Sequence, residues 1–395
     1  MTIAIDRFPD ATAVSELSTA RVADAWHARS VVFAAACVMV GVYWDISWHM
    51  TIGRDTFWTP AHLLIHAGGL IAGVTSGYVA LRTTFAGTAE QRAASVGFWG
   101  FRAPLGAWVC IWGCGAMLTS APLDNWWHNA YGLDVQIISP PHMVLALGIV
   151  AITLGALLLT LARQNQTTGR EQEQFAALFT IAASFWLMNV WVMLSEYSYK
   201  EFMHGGLYYR VAATYYPLVL LTTARANTLR WPATKAAAVY MALTLSLMWV
   251  LQLFPAEPKL GPIYQHISHM VTMDFPALLV VPAIALDFIR QRLEGRARDL
   301  ALAPLLGIAF VAAFLAVEWP FASFLITPHS RNWFFNGDNY VYFMSNQFVA
   351  RTFHFADWGQ WAEPVAPRLL IALVMATVSS YVGLKLGTWM SKVRR

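Results

Sequence analysis

Apolar stretches of about 20 residues recur along this chain and limit what it can fold into. A helix of that length spans the roughly 30 Å hydrocarbon core of a bilayer, and a backbone in lipid must satisfy its own hydrogen bonds. The sequence therefore predicts an all-α polytopic integral membrane protein with about ten transmembrane helices. The predicted segments are 30–50, 60–82, 103–124, 140–162, 174–195, 208–225, 233–254, 273–290, 300–320 and 366–388.

Composition agrees with this class. Apolar residues make up 57% of the 395 residues and charged residues only 12%, against about 25% charged in a typical soluble domain. The lipid bilayer is the first expected partner. The first thirty residues lack the short apolar core and cleavage site of a signal peptide, so we expect the first helix to remain as an anchor.

The distribution of positive charge predicts the orientation. When the predicted loops are assigned alternately to two sides, the side of the N-terminus carries 19 of the 26 lysines and arginines. The positive-inside rule makes that side cytoplasmic. We therefore expect both termini in the cytoplasm of a bacterial-type inner membrane. The net charge of +4 is explained by topology and gives no support for nucleic-acid binding.

One polar motif occurs twice, each time at the outer end of an apolar segment. Both copies fit Asp-x2-Trp-His-x5-Asp, a short gap, and then Ser/Thr-Pro-x-His. Copy one contains Asp45, Trp48, His49, Asp55, Thr59, Pro60 and His62, and copy two contains Asp124, Trp127, His128, Asp134, Ser139, Pro140 and His142. Polar side chains are costly at such positions, so a repeated set indicates a function.

The predicted topology places both motifs near the outer, periplasmic face. The i,i+4 spacing puts each Asp and the following His on one helix face, and the second His starts the next helix, where a hydroxyl cap and a proline are typical. Two imidazoles and a carboxylate suit copper, zinc or iron and leave coordination positions open. One copy alone could equally be an interfacial hydrogen-bonded pair, but two copies in register favour metal.

Further polar residues of the motifs have two interpretations each. Asp55 and Asp134 could orient ligating imidazoles or belong to the hairpin turns. His66, one turn after His62, could be a fourth ligand or a polar interhelical contact, and the matching residue in copy two is Ala146. The two tryptophans could shield the sites or belong to an interfacial aromatic belt.

Over residues 30–165 the chain resembles the C subunit of the copper membrane monooxygenases, the particulate methane and ammonia monooxygenases. That subunit has one copper site of the form Asp-x3-His-x12-His, which Asp45, His49 and His62 match. A second site there is Asn-x3-His-x13-His; Asp124, His128 and His142 match its spacing but carry aspartate for asparagine. The resemblance implies copper, dioxygen chemistry, and partner subunits, one of them with a cupredoxin-like domain.

We divide the chain into three regions. Residues 1–29 are predicted to form a cytoplasmic arm, 30–165 a four-helix metal-binding half, and 166–395 a six-helix half with an aromatic outer loop at 327–365. The loop is expected to follow the interface or to cap the outer face. In the second half, His266, His269 and Asp274 could form a third metal site or hydrogen-bond within their loop.

These features predict a copper-dependent membrane monooxygenase-like protein, or a subunit of one. Such a protein would oxidise a small apolar substrate with dioxygen, and a quinol is a candidate reductant. No catalytic residue is assigned, and a homo-oligomer is an open expectation. The alternative is a copper- or zinc-handling or metalloenzyme-assembly protein without catalysis. A structural subunit of a respiratory complex is a third interpretation.

Overall fold

The chain is folded almost entirely into helices, as a computed structural model shows. The structure describes residues 11–53, 58–132, 139–361 and 365–395, without the side chains of 11–25 and 360. Its helices are α1 (Ala11–Thr51), α2 (Pro60–Ala86), α3 (Ala89–Ala93), α4 (Leu105–Tyr131), α5 (Pro140–Gln166), α6 (Gly169–Met193), α7 (Gly206–Ala226), α8 (Pro232–Leu251), α9 (Val280–Leu293), α10 (Asp299–Leu325), α11 (Asn346–Arg351) and α12 (Val365–Met390).

Eight of the described helices are long and apolar enough to cross a membrane: α1 from Trp26 onward, α2, α4, α5, α6, α8, α10 and α12. This supports a multi-pass membrane protein. The predicted segments 208–225 and 273–290 are not among the eight. Helix α7 covers the first of them but contains arginine, proline and several tyrosines. Helix α9, in the second, has only 14 residues, or about 21 Å of helix.

Two local features differ from the sequence prediction. The predicted boundary between arm and first span at residue 29 lies inside α1, which is continuous from Ala11. The connection between α2 and α4 contains α3 and a small antiparallel hairpin of β1 (Val96–Phe98) and β2 (Phe101–Ala103). Trp99 and Gly100 form its tip with positive φ angles, a turn signal that the surrounding apolar pattern obscures.

The four-helix half is held together by very close helix approach. Helices α1 and α2 pack side by side, as do α4 and α5, while α2 packs on α4 and α1 on α5. A Cβ atom added to Gly113 on α4 would lie 2.9 Å from the Ala151 Cβ and 3.0 Å from the Gly148 carbonyl oxygen on α5. Small residues permit this approach in membrane helices, as the glycine-rich sequence predicts.

Residues 270–279 form an irregular segment that is largely buried between the helices. Side chains satisfy much of its backbone. Val271 donates its N–H to Thr51 Oγ1 at 2.8 Å, and its carbonyl accepts a hydrogen bond from Ser47. Non-helical backbone at such depth requires protein partners. Ser47 and Thr51 supply them from the face of α1 opposite Asp45 and His49.

The described part of the aromatic loop, residues 327–361, packs on the segment between α6 and α7. Lys200 donates to the Gly337 carbonyl, and its ammonium lies 4.4 Å from the Phe353 ring centroid. The Ala356 N–H donates to the Glu201 carbonyl oxygen at 2.9 Å. The loop therefore covers Lys200, which is buried, and leaves Glu201 partly exposed.

The glycine contact between α4 and α5 gives a direct test. We expect Gly113→Ala to lower stability by about 1–3 kcal/mol, the usual range for overpacking, because its Cβ would press on α5. Gly115→Ala, two residues along the same helix, has open space for its Cβ and should be neutral or stabilising. Thermal unfolding of the detergent-solubilised variants distinguishes them, and equal melting temperatures would contradict the close-packing account.

The packing of the aromatic loop also predicts a pH dependence. Burial, reinforced by the charge of Asp274, raises the pKa of Glu201 from 4.5 to about 7. Glu201 therefore binds its proton more tightly in the folded state than in the unfolded state. This binding stabilises the folded state fully below pH 4.5, and the stabilisation is lost as the pH rises from 4.5 through about 7. We expect Glu201→Gln to flatten this part of the stability–pH curve, while Glu257→Gln, in an exposed loop, leaves its slope unchanged.

Candidate metal centre

The first cluster of ligand-type residues joins the end of α1 to the start of α2. Asp45 and His49 lie one turn apart on α1, and Asp45 Oδ2 is 3.8 Å from His49 Nε2. The other carboxylate oxygen, Oδ1, is 3.1 Å from His62 Nε2 on α2. One atom from each residue lies within 4.8 Å of the other two. We call this group triad one.

The second cluster repeats the arrangement at the end of α4 and the start of α5. Asp124 Oδ1 is 3.2 Å from His128 Nε2 and 3.4 Å from His142 Nε2. This group, triad two, again brings three ligand atoms within 4.8 Å. Helix α4 continues through Pro122 to Tyr131, beyond the predicted end at residue 124. The i,i+4 relation of Asp124 and His128 is therefore helical, as expected.

The helix starts that present His62 and His142 are built differently. Thr59 is the N-cap of α2, and its Oγ1 accepts a hydrogen bond from the His62 N–H at 3.1 Å. Ser139 occupies the N-cap of α5, but its side chain makes no cap hydrogen bond. Proline follows in the first turn of both helices. The predicted hydroxyl cap is thus present for His62 only.

Triad two has an additional anchor that the sequence prediction missed. The His128 Nδ1 atom lies 3.0 Å from the Gly132 carbonyl oxygen. Because a carbonyl only accepts, Nδ1 carries a proton; in a neutral ring this leaves the Nε2 lone pair on the side of Asp124. Gly132 also donates its N–H to the His128 carbonyl at 3.0 Å, with a φ of 98° that favours glycine. A glycine just after the helix was the available signal.

The two triads are neighbours at one end of the bundle. Asp45 lies within electrostatic range of His142 on the other hairpin. His66, one turn along α2 from His62, lies within range of both Asp45 and Asp124. His66 therefore lies near enough to both triads for their aspartates to act on it electrostatically. Among the described residues, it is not one of the three that close triad one.

The triads differ in access to the surface. The His49 side chain of triad one is 41% exposed, whereas that of its counterpart His128 is 5% exposed. His142 is the more open imidazole of triad two, at 33%. Triad one is therefore most exposed at His49, near the end of α1. Triad two is most exposed at His142, in the first turn of α5.

The aromatic residues of the motifs have separate surroundings. Trp127 lies beside Tyr131 in a tilted arrangement, with ring centroids 4.6 Å apart, and borders the exposed Trp126. This cluster has the character of an interfacial aromatic belt. Trp48 is partly buried and packs against the hydrophobic core.

Several predicted site residues are not brought into a triad. Asp55 and Asp134 lie outside the described residues. His266 and His269 are exposed, and His269 Nδ1 is 2.9 Å from the Ser268 hydroxyl oxygen. Within the described part of the chain, the two triads are the groups of three or more such ligands, and neither includes His266, His269 or Asp274. The candidate third site therefore gains no support.

Each donor set could hold a metal ion. Ligands 2.0–2.1 Å from a tetrahedral ion are separated by about 3.3 Å, and the measured Asp–His separations of 3.1–3.8 Å bracket this value. Each triad supplies two imidazole nitrogens and one carboxylate oxygen, a set shared by copper, zinc and iron sites.

Comparisons with known protein-family models, with curated proteins and with solved structures gave no match to this chain. The resemblance to the copper membrane monooxygenases therefore rests on ligand types, their spacing and their order on consecutive hairpins.

The unequal caps lead to a paired prediction. We expect Thr59→Ala to cost about 1 kcal/mol, typical of losing an N-cap, because the His62 N–H loses its acceptor. Ser139→Ala should be neutral or slightly stabilising, since its buried hydroxyl makes no hydrogen bond among the described residues. Thermal unfolding of both variants tests this, and a larger loss for Ser139→Ala would refute the assigned caps.

Proposed function

We propose that both triads bind copper and that the protein is a copper-dependent membrane monooxygenase, or a subunit of one. The convergence of two imidazoles and one carboxylate in each hairpin carries the proposal. Asp45, His49 and His62 would hold one ion, and Asp124, His128 and His142 the other. Zinc and iron are the competing metals for the same donors.

A copper ion with open coordination positions would supply the one-electron redox chemistry that activates dioxygen. The balanced reaction takes a small apolar substrate, dioxygen, two electrons and two protons to a hydroxylated product and water. A quinol is a suitable reductant because it releases two electrons and two protons together and dissolves in the bilayer. A substrate of this class would reach the triads through the surrounding lipid.

The residues of this chain contribute binding and orientation. Asp124 bridges the two imidazoles of triad two through one oxygen, and the Gly132 carbonyl fixes which nitrogen of His128 faces the ligand position. The aspartate that replaces the resembling family's asparagine adds a negative charge, which strengthens the binding of a cation there. His66, within electrostatic range of both aspartates, would act as an additional polar group beside the ions.

A second candidate function is metal handling without catalysis, and the exposure of His49 favours it. A carrier exchanges its ion with a donor or an acceptor, which requires a ligand reachable from solvent. His49 of triad one meets that requirement better than the buried His128 of triad two does. In this case zinc is as suitable as copper, and the protein would store metal or deliver it to another metalloenzyme.

Metal analysis of the purified full-length protein tests the proposal. We expect two equivalents of copper, one for each triad, falling to one in His62→Ala or His128→Ala and to none in the double variant. His354→Ala, outside both triads, is the matched control and should retain two. A wild-type protein without stoichiometric transition metal, tested after growth in copper-replete medium, would overturn the proposal.

Oxygen consumption then separates the two candidate functions. The assay supplies a quinol as reductant and either ammonia or a short hydrocarbon as substrate. A monooxygenase consumes oxygen in proportion to the product formed, and both oxygen consumption and product formation are lost in the His128→Ala variant. Metal that transfers to a chelator, without oxygen consumption in the presence of candidate partner subunits, would instead support metal handling.

A further inference from the structure

A carboxylic acid lies in the interior of the six-helix half, far in sequence from both triads. Glu318 is fully buried on α10, about 10 Å along the helix from its end at Leu325. Its Oε1 atom accepts a hydrogen bond from the Leu278 N–H at 2.7 Å. This bond ties the irregular segment 270–279 to α10 and uses one of the two carboxyl oxygens.

Phenols surround the remaining part of this carboxyl group. Tyr208 interacts with the acid, and Tyr209, Tyr216 and Tyr240 lie within electrostatic range of it. All four tyrosines are buried. Among the described residues, Glu318 Oε2 makes no hydrogen bond of ordinary geometry, and neither do the hydroxyls of Tyr208, Tyr209, Tyr216 and Tyr240.

Several described lysines and arginines of the six-helix half form ion pairs away from this cluster. Arg225, Arg290 and Lys385 pair with carboxylates on the opposite side of the bundle. The titratable or charged groups on the elements around Glu318 include Tyr208, Tyr209, Arg210, Tyr215 and Tyr216 on α7, Tyr240 on α8, His204 before α7 and Arg368 on α12; Arg210 is partly exposed and Tyr215 exposed. His204 stacks on Trp319 at 3.7 Å and Arg368 packs at Gly206, so both mark the end of the cluster nearest the aromatic loop.

An ionised carboxylate in this position would be buried without a cation, which is strongly unfavourable in an apolar interior. A protonated carboxyl group instead keeps Oε1 as an acceptor for Leu278 and offers an O–H to a phenol oxygen. The physical chemistry therefore favours the acid form. A purely structural tie to Leu278 would need neither the second oxygen nor four buried hydroxyls.

We propose that Glu318 is a proton-binding site inside the six-helix half and that Tyr208 relays its proton toward the face that the aromatic loop covers. In the relay, the Glu318 O–H bond breaks as an O–H bond forms on the Tyr208 oxygen, and the phenol passes its own proton on to water. Tyr208 lies in the first turn of α7, next to the loop contacts of Lys200 and Glu201. The proposal does not depend on metal in the triads.

Infrared difference spectroscopy of the full-length protein in nanodiscs tests the proton site. In a Glu201→Gln background, which removes a separate carboxyl group whose burial raises its pKa to about 7, we expect the carbonyl band of a buried protonated carboxyl group at neutral pH, shifted in D₂O and lost when Glu318→Gln is added. Glu173→Gln, which changes an exposed glutamate at the start of α6, should retain the band. No such band in the Glu201→Gln background, or its persistence when Glu318→Gln is added, would overturn the proposal.

The relay has its own readout. The hydrogen–deuterium exchange rate of this band should fall by about tenfold or more in Tyr208→Phe. In Tyr215→Phe, which removes an exposed phenol from the same helix, the rate should match the wild type. An unchanged rate in Tyr208→Phe would refute the relay and leave the proton site standing. If Glu318→Gln fails to fold, Glu318→Asp keeps an acid and should shift the band; an unshifted band would overturn the assignment.

Discussion

The polar groups inside this apolar bundle depend on partners within the protein. Lipid offers them no hydrogen bonds, so a buried polar group without a partner costs several kcal/mol of folding free energy. Three parts of the fold reflect this constraint. The triads pair each carboxylate with two imidazoles, side chains of α1 bind the irregular segment, and Glu318 accepts from the backbone of that segment.

Helix α1 connects the two halves through opposite faces. Asp45 and His49 face α2 and form part of triad one. Ser47 and Thr51, offset by two residues or about 200° around the helix, bind Val271 in the second half. The position of triad one therefore depends on packing in the six-helix half. This gives helices α6 to α12 a structural role in the site, whatever their own activity.

The duplicated hairpins have diverged while keeping their ligand geometry. Triad one has a capped second helix and an exposed His49, whereas triad two has a buried His128 that Gly132 anchors. The most exposed imidazole of triad one is His49 at the end of α1, and that of triad two is His142 in the first turn of α5. This asymmetry underlies the two functions that we weigh.

Much of the site followed from local sequence rules. The i,i+4 spacing fixed which Asp and His share a helix face, and Thr59-Pro60 indicated where α2 begins. The features that the prediction missed depend on contacts that helical spacing does not specify. The Gly132 carbonyl acts through the turn of the chain after α4, and the surroundings of Glu318 come from three separate helices and the segment 270–279.

By itself, the sequence determined the helical membrane class, the ends of the hairpins, and the two sets of ligand-type residues, because hydrophobic length and helical periodicity are local properties. Only the tertiary structure decided that the triads are neighbours, that α9 is short and follows a buried irregular segment, and that Glu318 lies among phenols. These features depend on which helix faces meet, and that is set by close packing at positions such as Gly113 and by the pairing of buried polar groups.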